Sequence, residues 1–423
     1  MLRLSLALSL VSVAGFGGHP GFRDVEPTDN VNSRYTVERV DLTGYASKSV
    51  SRGIRQRLNG MIGRNLDSTA LDRIAARIRD ELRVEEVRIR IGKGTRPLQV
   101  AVQLEIEHHH KAVDFNLSRI GYLSNEGPTA AVGINTEFAG NRASIAYLSD
   151  ADQFIERASG FQGGFERTHL TRDSRVGLRI NYGALSSQWN NDSVAAFAAA
   201  PTAARYGFRQ YVEPELLVAI TPQLQFSVGA SVEHLENIEN ASMPRNLAAN
   251  AVTGGLRYHS RFEGTAALTQ DLDAGYTMRV ATRALGSDFV YTRHSTTVTY
   301  ALHHVRQTLR FKWAGGVVNG NAPIYDRFAL GNSSTLRGWN KYAIAPLGGS
   351  RIAHGSVEYR YRMLEAFYDV GSIGDSSPAA RVAAKGVKHS LGVGIRKDAL
   401  QLAVAFPLKN GRLDPVFLAG VNF

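Results

Sequence analysis

Apolar residues recur along this chain with two different rhythms, and the change falls near Glu107. Before that point the rhythms mix. Tyr35–Leu42 reads as a strand closed by Gly44. Val50, Ile54 and Leu58 recur every fourth residue, which places them on one face of a helix that Gly60 and Gly63 break. Asp67 and Ser68 suit the start of a second helix, with Leu71, Ile74, Ala75, Ile78 and Leu82 on its apolar face. Val87, Ile89 and Ile91 then alternate with Arg88 and Arg90. After a Lys93–Gly94 turn, Leu98, Val100, Val102, Leu104 and Ile106 form the apolar face of a last strand. The predicted order over residues 34–107 is strand, helix, helix, strand, strand, with both helices on one sheet face. An edge left open in such a sheet can accept a strand from another chain. A plain structural spacer fits the same pattern.

From residue 111 to the end only the alternating rhythm remains. Val176, Leu178, Ile180 and Tyr182 alternate with Gly177, Arg179 and Asn181. Leu309, Phe311 and Trp313 alternate with Arg310 and Lys312, and the same holds for Val387–Ile395 and Leu400–Phe406. A soluble sandwich and a membrane barrel share this alternation and differ only in which face looks outward. Aromatics on the apolar faces, Arg and Lys beside Gly on the polar ones, and a final strand running to Phe423 favour the barrel. At roughly 20 residues per strand with its turn, residues 111–423 predict about sixteen antiparallel strands. Residues 184–205 and 237–251 read as long polar loops. No run of about 18 apolar residues offers a spanning helix.

Composition narrows the setting. Gly, at 41 residues against 13 Pro, suits an all-β chain with many turns. The absence of cysteine excludes a disulfide framework, a lipoprotein acylation site and any Cys-based metal site. Arg3, the apolar Leu4–Ala14 and the small residues around them read as a signal peptide over residues 1–18, followed by a polar linker, 19–33. A short N-terminal helix is the alternative. The net charge of +11 is spread without a run of like charges, and export argues against a nucleic-acid partner.

Three segments sharpen the reading: FALGNSSTLRGW (Phe328–Trp339), HGSVEYRY (His354–Tyr361) and AFYDVGS (Ala366–Ser372). In this order they resemble the barrel of the BamA/TamA-type superfamily, which also holds the two-partner-secretion transporters. The resemblance implies a long sixth loop with an Arg-Gly-aromatic tip, here Arg337, Gly338 and Trp339. It implies an inward Glu on the twelfth strand, here Glu358, and a Phe-x-Asp-x-Gly thirteenth strand carrying Asp369. The preceding domain resembles a single POTRA domain in element order and helix spacing. The fold implied is mainly β: an antiparallel transmembrane barrel of about sixteen strands after one small α+β domain. The implied setting is the bacterial outer membrane, with the small domain in the periplasm. The implied partners are unfolded or nascent outer-membrane or secreted polypeptides and outer-membrane lipid, without cofactor, metal or catalytic residue.

The residues support the motif independently. Val357, Tyr359 and Tyr361 alternate with Glu358 and Arg360, so Glu358 faces the lumen. An inward-folding loop could bring Arg337 to Glu358 and Asp369 together, because a guanidinium can bind one carboxylate with two donors and still reach another. Three unrelated lumen charges are the alternative. Only one POTRA-like domain has room, so the branch stays open among insertase, two-partner-secretion transporter and porin-like channel.

The barrel must close between a first strand near Val113–Tyr122 and a last strand at Val416–Phe423. Val113, Phe115 and Leu117 share one face, then Ile120 and Tyr122 take the other, which predicts a bulge or an early end near Arg119. Phe417, Ala419, Val421 and Phe423 form the lipid face of the last strand, weakened by Pro415 and Gly420. The expectation is a weak seam that opens sideways, against the alternative of static closure. No nucleophile elbow, Walker loop or HExxH stands in the chain. Gly374-Asp375-Ser376 reads as a turn, and His108–His110 as a hinge rather than a metal site.

Overall fold

Alternation of large apolar side chains with small or polar ones is what the backbone of this chain converts into pleated sheet, and two separate sheets result. The computed structural model describes residues 34–421, apart from 45–46, 48–49, 83–85, 108–113, 125–126, 139–140, 151–156, 171–173, 200–204, 239–243, 264–267, 376–385, 398 and 410–411. The expected signal peptide, linker and His108–His110 hinge lie outside the described residues. The chain divides into two units between His109 and His110.

The first unit contains β1 (Thr36–Gly44), α1 (Arg52–Asn59), α2 (Ser68–Leu82), β2 (Glu86–Lys93) and β3 (Gln99–Glu107). The sheet order is β1-β3-β2, with β1 parallel to β3 and β2 antiparallel to it. Ile54 and Leu58 of α1 and Leu71, Ile74 and Ile78 of α2 pack on Val37, Val102, Leu104 and Ile106. That contact explains the fourfold helix spacing, since an isolated eight-residue helix is marginal without a packed face. Asp67 caps α2 by accepting from the Ala70 N–H at 3.0 Å. One sheet edge is partly covered: the Val37 N–H donates to the Arg64 carbonyl at 2.9 Å, and the Gly63 N–H donates back to Val37 at 2.8 Å. The other edge is β2, where Ile91 is exposed.

In the second unit the first seven long strands are β4 (Asp114–Leu123), β5 (Gly127–Phe138), β6 (Asn141–Asp150), β7 (Arg157–Arg167), β8 (Val176–Gln188), β9 (Tyr206–Ala219) and β10 (Leu224–Asn237). A three-residue piece, β11 (Asn246–Ala248), extends the ladder beside β10. Then come β12 (Ala251–Glu263), β13 (Leu268–Ala281), β14 (Val290–His304), β15 (Gln307–Asn321), β16 (Arg351–Tyr361), β17 (Leu364–Gly374), β18 (Lys388–Lys397) and β19 (Leu400–Lys409). The two-residue β20 (Arg412–Leu413) precedes the closing strand β21 (Val416–Val421). Each long strand pairs with its sequence neighbours, and β21 returns to β4, closing a sixteen-stranded antiparallel barrel.

The orientation of the alternation decides between sandwich and membrane barrel. Val357 and Tyr359 are exposed on the outside of β16, while Glu358 between them is 6% exposed and faces in. On β19 Leu402 is exposed and its neighbours Ala403 and Ala405 are buried. Apolar side chains therefore look outward around a polar interior, the sense a lipid-facing wall requires.

Two expected polar loops contain more structure than their composition suggested. In 184–205, β8 runs on to Gln188 and a short helix follows, α3 (Asn191–Ala198), capped by Asn190 accepting from the Ser193 N–H at 2.7 Å. In 237–251, β11 and the start of β12 occupy the end of the stretch. Burial of Phe197, Leu247 and Ala251 against one another and against the long β15–β16 loop outweighs the local polarity.

Candidate functional site

The segment between β15 and β16, residues 322–350, folds into the barrel rather than away from it. Leu330, Leu336 and Trp339 are almost fully buried there, and hiding that apolar area drives the entry. Asn332 sets the approach to the tip: its Oδ1 accepts from the Ser334 N–H at 3.0 Å and the Thr335 N–H at 2.9 Å.

Arg337 then meets the wall. Its Nε and Nη2 donate to the two oxygens of Asp369 at 2.7 and 2.6 Å. Its backbone N–H donates to the same carboxylate at 3.2 Å. Nη2 also donates to Ser356 Oγ at 3.0 Å, and Nη1 lies 3.0 Å from Glu358 Oε1. The guanidinium sits 3.6 Å above the centre of the Phe367 ring. The structure thus brings the predicted Arg337, Glu358 and Asp369 into one buried cluster on β16 and β17.

The remaining tip residues fix the pose. Gly338 has φ +84°, a conformation side chains disfavour, and a Cβ there would lie 3.0 Å from Ala405 Cβ and 3.1 Å from Pro407 Cδ on β19. Trp339 Nε1 donates to the His389 carbonyl of β18 at 2.8 Å. Lys388 and Lys409 place their ammonium groups 5.0 and 5.2 Å from its ring, a cation–π arrangement.

Several partners escaped the motif. Lys312 and Arg310 of β15 also bind Glu358, at 3.1 and 3.4 Å. Glu365 lies 3.8 Å from Arg337 and 3.1 Å from Arg396. Strand parity gave a signal for Glu365, which shares the inward face of Asp369 four residues on. The same parity puts Ser356 on the inward face of Glu358 two residues on. Asp375, just after β17, pairs with Arg327 of the loop.

At the seam, among the described residues, β21 pairs with β4 from Leu418↔Leu123 to Val421↔Ile120, four residues of each strand, and the Ser124 N–H donates to the Phe417 carbonyl at 3.0 Å. By contrast β14 and β15 pair along their full lengths. The register between β4 and β5 shifts between Asn116 and Arg119. Phe417 faces outward and Val421 is half-buried. Among the described residues the closing pairs use Ile120–Leu123, beyond the expected Phe115 and Leu117. Val113 and Phe423 lie outside the described residues.

The Omp85 superfamily domain matches residues 96–417, most of the chain. The chain belongs to the Omp85 superfamily. Its setting is accordingly the outer membrane. No curated protein matches the sequence. Among solved structures, BamA from Haemophilus ducreyi lacking POTRA domains 1–3 aligns at TM-score 0.57 and 16% identity, over 92% of this chain and 84% of that one. CdiB from Escherichia coli aligns at 0.55 and 13%, over 92% and 76%. CdiB from Acinetobacter baumannii aligns at 0.56 and 15%, over 92% and 74%. At these identities the likeness is one of fold.

Proposed function

We propose that this Omp85 protein inserts or translocates client polypeptides at the outer membrane, without catalysing a reaction. The observation that carries the reading is the Arg337–Asp369–Glu358 cluster, which pins a long loop inside an otherwise polar barrel. In this reading the pinned loop is a latch on the lumen. The unit at residues 34–107 is a POTRA-like domain standing in the periplasm, where the β2 edge offers backbone groups to an unfolded client. Residues 1–18 direct export. The seam is the exit into lipid, since few hydrogen bonds must break there.

A two-partner-secretion transporter for one dedicated client is the second reading, supported by the likeness of fold to CdiB. A porin-like channel sits poorly with a loop that fills the lumen with Leu330, Leu336 and Trp339. Depletion of the protein followed by proteomics of the outer membrane and medium tests these. Broad loss of barrel proteins is expected for an insertase. Loss of one secreted protein alone points to the second reading, and no change in either fraction overturns both.

A further inference from the structure

The loop is held twice. Its root, the turn Ile324–Asp326, is seated in a second buried ionic cluster that shares no residue with the Arg337 site. Asp326 is 5% exposed and accepts from Tyr291 Oη of β14 at 2.5 Å. Arg279 of β13 lies 3.5 Å from the same carboxylate and donates to Tyr291 Oη at 3.0 Å. Arg279 also donates to Glu233 at 2.6 Å, to Ser231 at 2.7 Å and to Glu213 at 2.8 Å. Glu233, its side chain fully buried on β10, takes a further bond of 2.8 Å from Arg209 of β9. Tyr325 reaches across to β8, where its hydroxyl is 2.8 Å from Ser187 Oγ, and the Arg209 guanidinium covers its ring at 4.9 Å.

The two attachments occupy different arcs of the wall. In the ring of sixteen long strands the root spans the fifth, β8, to the tenth, β14, and the tip the twelfth, β16, to the fifteenth, β19. The root contacts β8, β9, β13 and β14, while the tip contacts β16, β17, β18 and β19. The tip walls are the ones that lead to the β21–β4 seam.

We propose that Arg279, Glu233 and Asp326 are positioning residues that hold the root of the loop independently of its tip. When Arg337 lets go, the loop then swings about residues 324–326 instead of leaving the lumen. The space that opens lies beside β16–β19, next to the seam, while the lumen beside the root stays filled. The hold is shared: Arg279 joins the carboxylates of Glu213, Glu233 and Asp326, and Glu233 takes Arg209 as well, so the root does not hang on one pair. The pivot rests on the latch reading given above for Arg337.

Hydrogen exchange read by mass spectrometry, on the full chain in lipid nanodiscs, separates the two. The Asp326, Arg327 and Phe328 amides report the root, and those of Thr335, Arg337 and Trp339 report the tip, since each is hydrogen-bonded. In Arg337→Ala, loss of protection is expected at the tip with the root unchanged. In Asp326→Asn, the root should lose protection while the tip keeps it. Tyr291→Phe, which removes the hydroxyl's two bonds, to Asp326 and from Arg279, and leaves every charge, should show the same root-only loss in smaller degree and covers the case in which Asp326→Asn fails to assemble. Equal loss at root and tip in Arg337→Ala overturns the independent root. Unchanged root protection in Asp326→Asn or Tyr291→Phe overturns the role given to this cluster. Unchanged tip protection in Arg337→Ala overturns the latch reading and the pivot with it, leaving the root judged by the other two variants alone.

Discussion

Arg337 and Asp369 form a two-pronged pair, Nε and Nη2 each donating to a different carboxylate oxygen, and the carboxylate also takes the arginine's own backbone N–H. Three bonds between two residues fix both the direction of the side chain and the height of the loop on β17. A lysine could supply the charge but not the planar fork. Removing the guanidinium leaves Asp369 and Glu358 buried with less compensation, a loss of about 3–5 kcal/mol for a broken buried pair. Arg337→Ala is therefore expected to lower the thermal unfolding midpoint in detergent and to abolish client assembly, with Arg337→Lys recovering part of each. Normal assembly by the alanine variant would remove the latch from the mechanism.

The platform under that guanidinium depends on a glycine. Phe367 of β17 stands opposite Gly392 of β18, and a Cβ at Gly392 would fall 2.0 Å from the Phe367 ring. Gly392→Ala must push the ring toward Arg337 and is expected to cost about 1–3 kcal/mol, as overpacking does. Adding Phe367→Leu should recover part of the loss by vacating the space. Unfolding curves of the two single variants and the double variant check the coupling, which additive effects would deny.

Closure over four residue pairs predicts a joint that yields. Tyr122 and Ala419 face each other across it. With no native cysteine, Tyr122→Cys and Ala419→Cys can be joined cleanly by oxidation. Client assembly should stop in the oxidised protein and return on reduction. Full activity in verifiably cross-linked protein would make the seam a static closure.

The small domain carries a pH signature. Glu38 accepts from Thr95 Oγ1 at 2.7 Å and from the Thr95 N–H at 2.6 Å, and these bonds hold its carboxyl below the ordinary glutamate value. A carboxyl depressed in the folded state contributes stability above its unfolded pKa, and the contribution fades as pH falls through the lower folded value. Residues 34–107 alone are thus expected to lose thermal stability on acidification below the ordinary glutamate range, and Glu38→Gln should flatten that slope. Chemical shifts on adding an extended peptide from a barrel strand should concentrate on β2; shifts confined to the basic helix faces would indicate charge attraction instead.

Much of this was legible because alternation is a local property. The face of Glu358 follows from Val357 and Tyr359, and that of Asp369 from its flanking Tyr368 and Val370. The Arg337 contact needed the family motif, since nothing local says that a loop turns inward. The root cluster was not legible at all. Arg209, Glu213, Glu233, Arg279 and Asp326 come from β9, β10, β13 and the loop, and only ring closure and the inward fold bring them together. Helix α3 was hidden for a similar reason: Phe197 is one aromatic in a small-residue stretch, and beyond the nearby Trp189 the cluster it joins, with Leu247 and Tyr291, is assembled from elsewhere in the chain.

The uneven ladder around the ring has a mechanical meaning. Ladders such as β13–β14 and β14–β15 join strands along fourteen or fifteen residues, and β21–β4 along four. Hydrogen bonds in a ladder share a load in proportion to their number, so among the described residues a force that widens the barrel meets least resistance at β21, with four pairs to β4 and six to β19. The wall would tear along a single line beside the loop tip and leave the remaining strands as one continuous curved sheet. Such a sheet keeps its shape while its two edges separate, offering bare backbone on both lips at once.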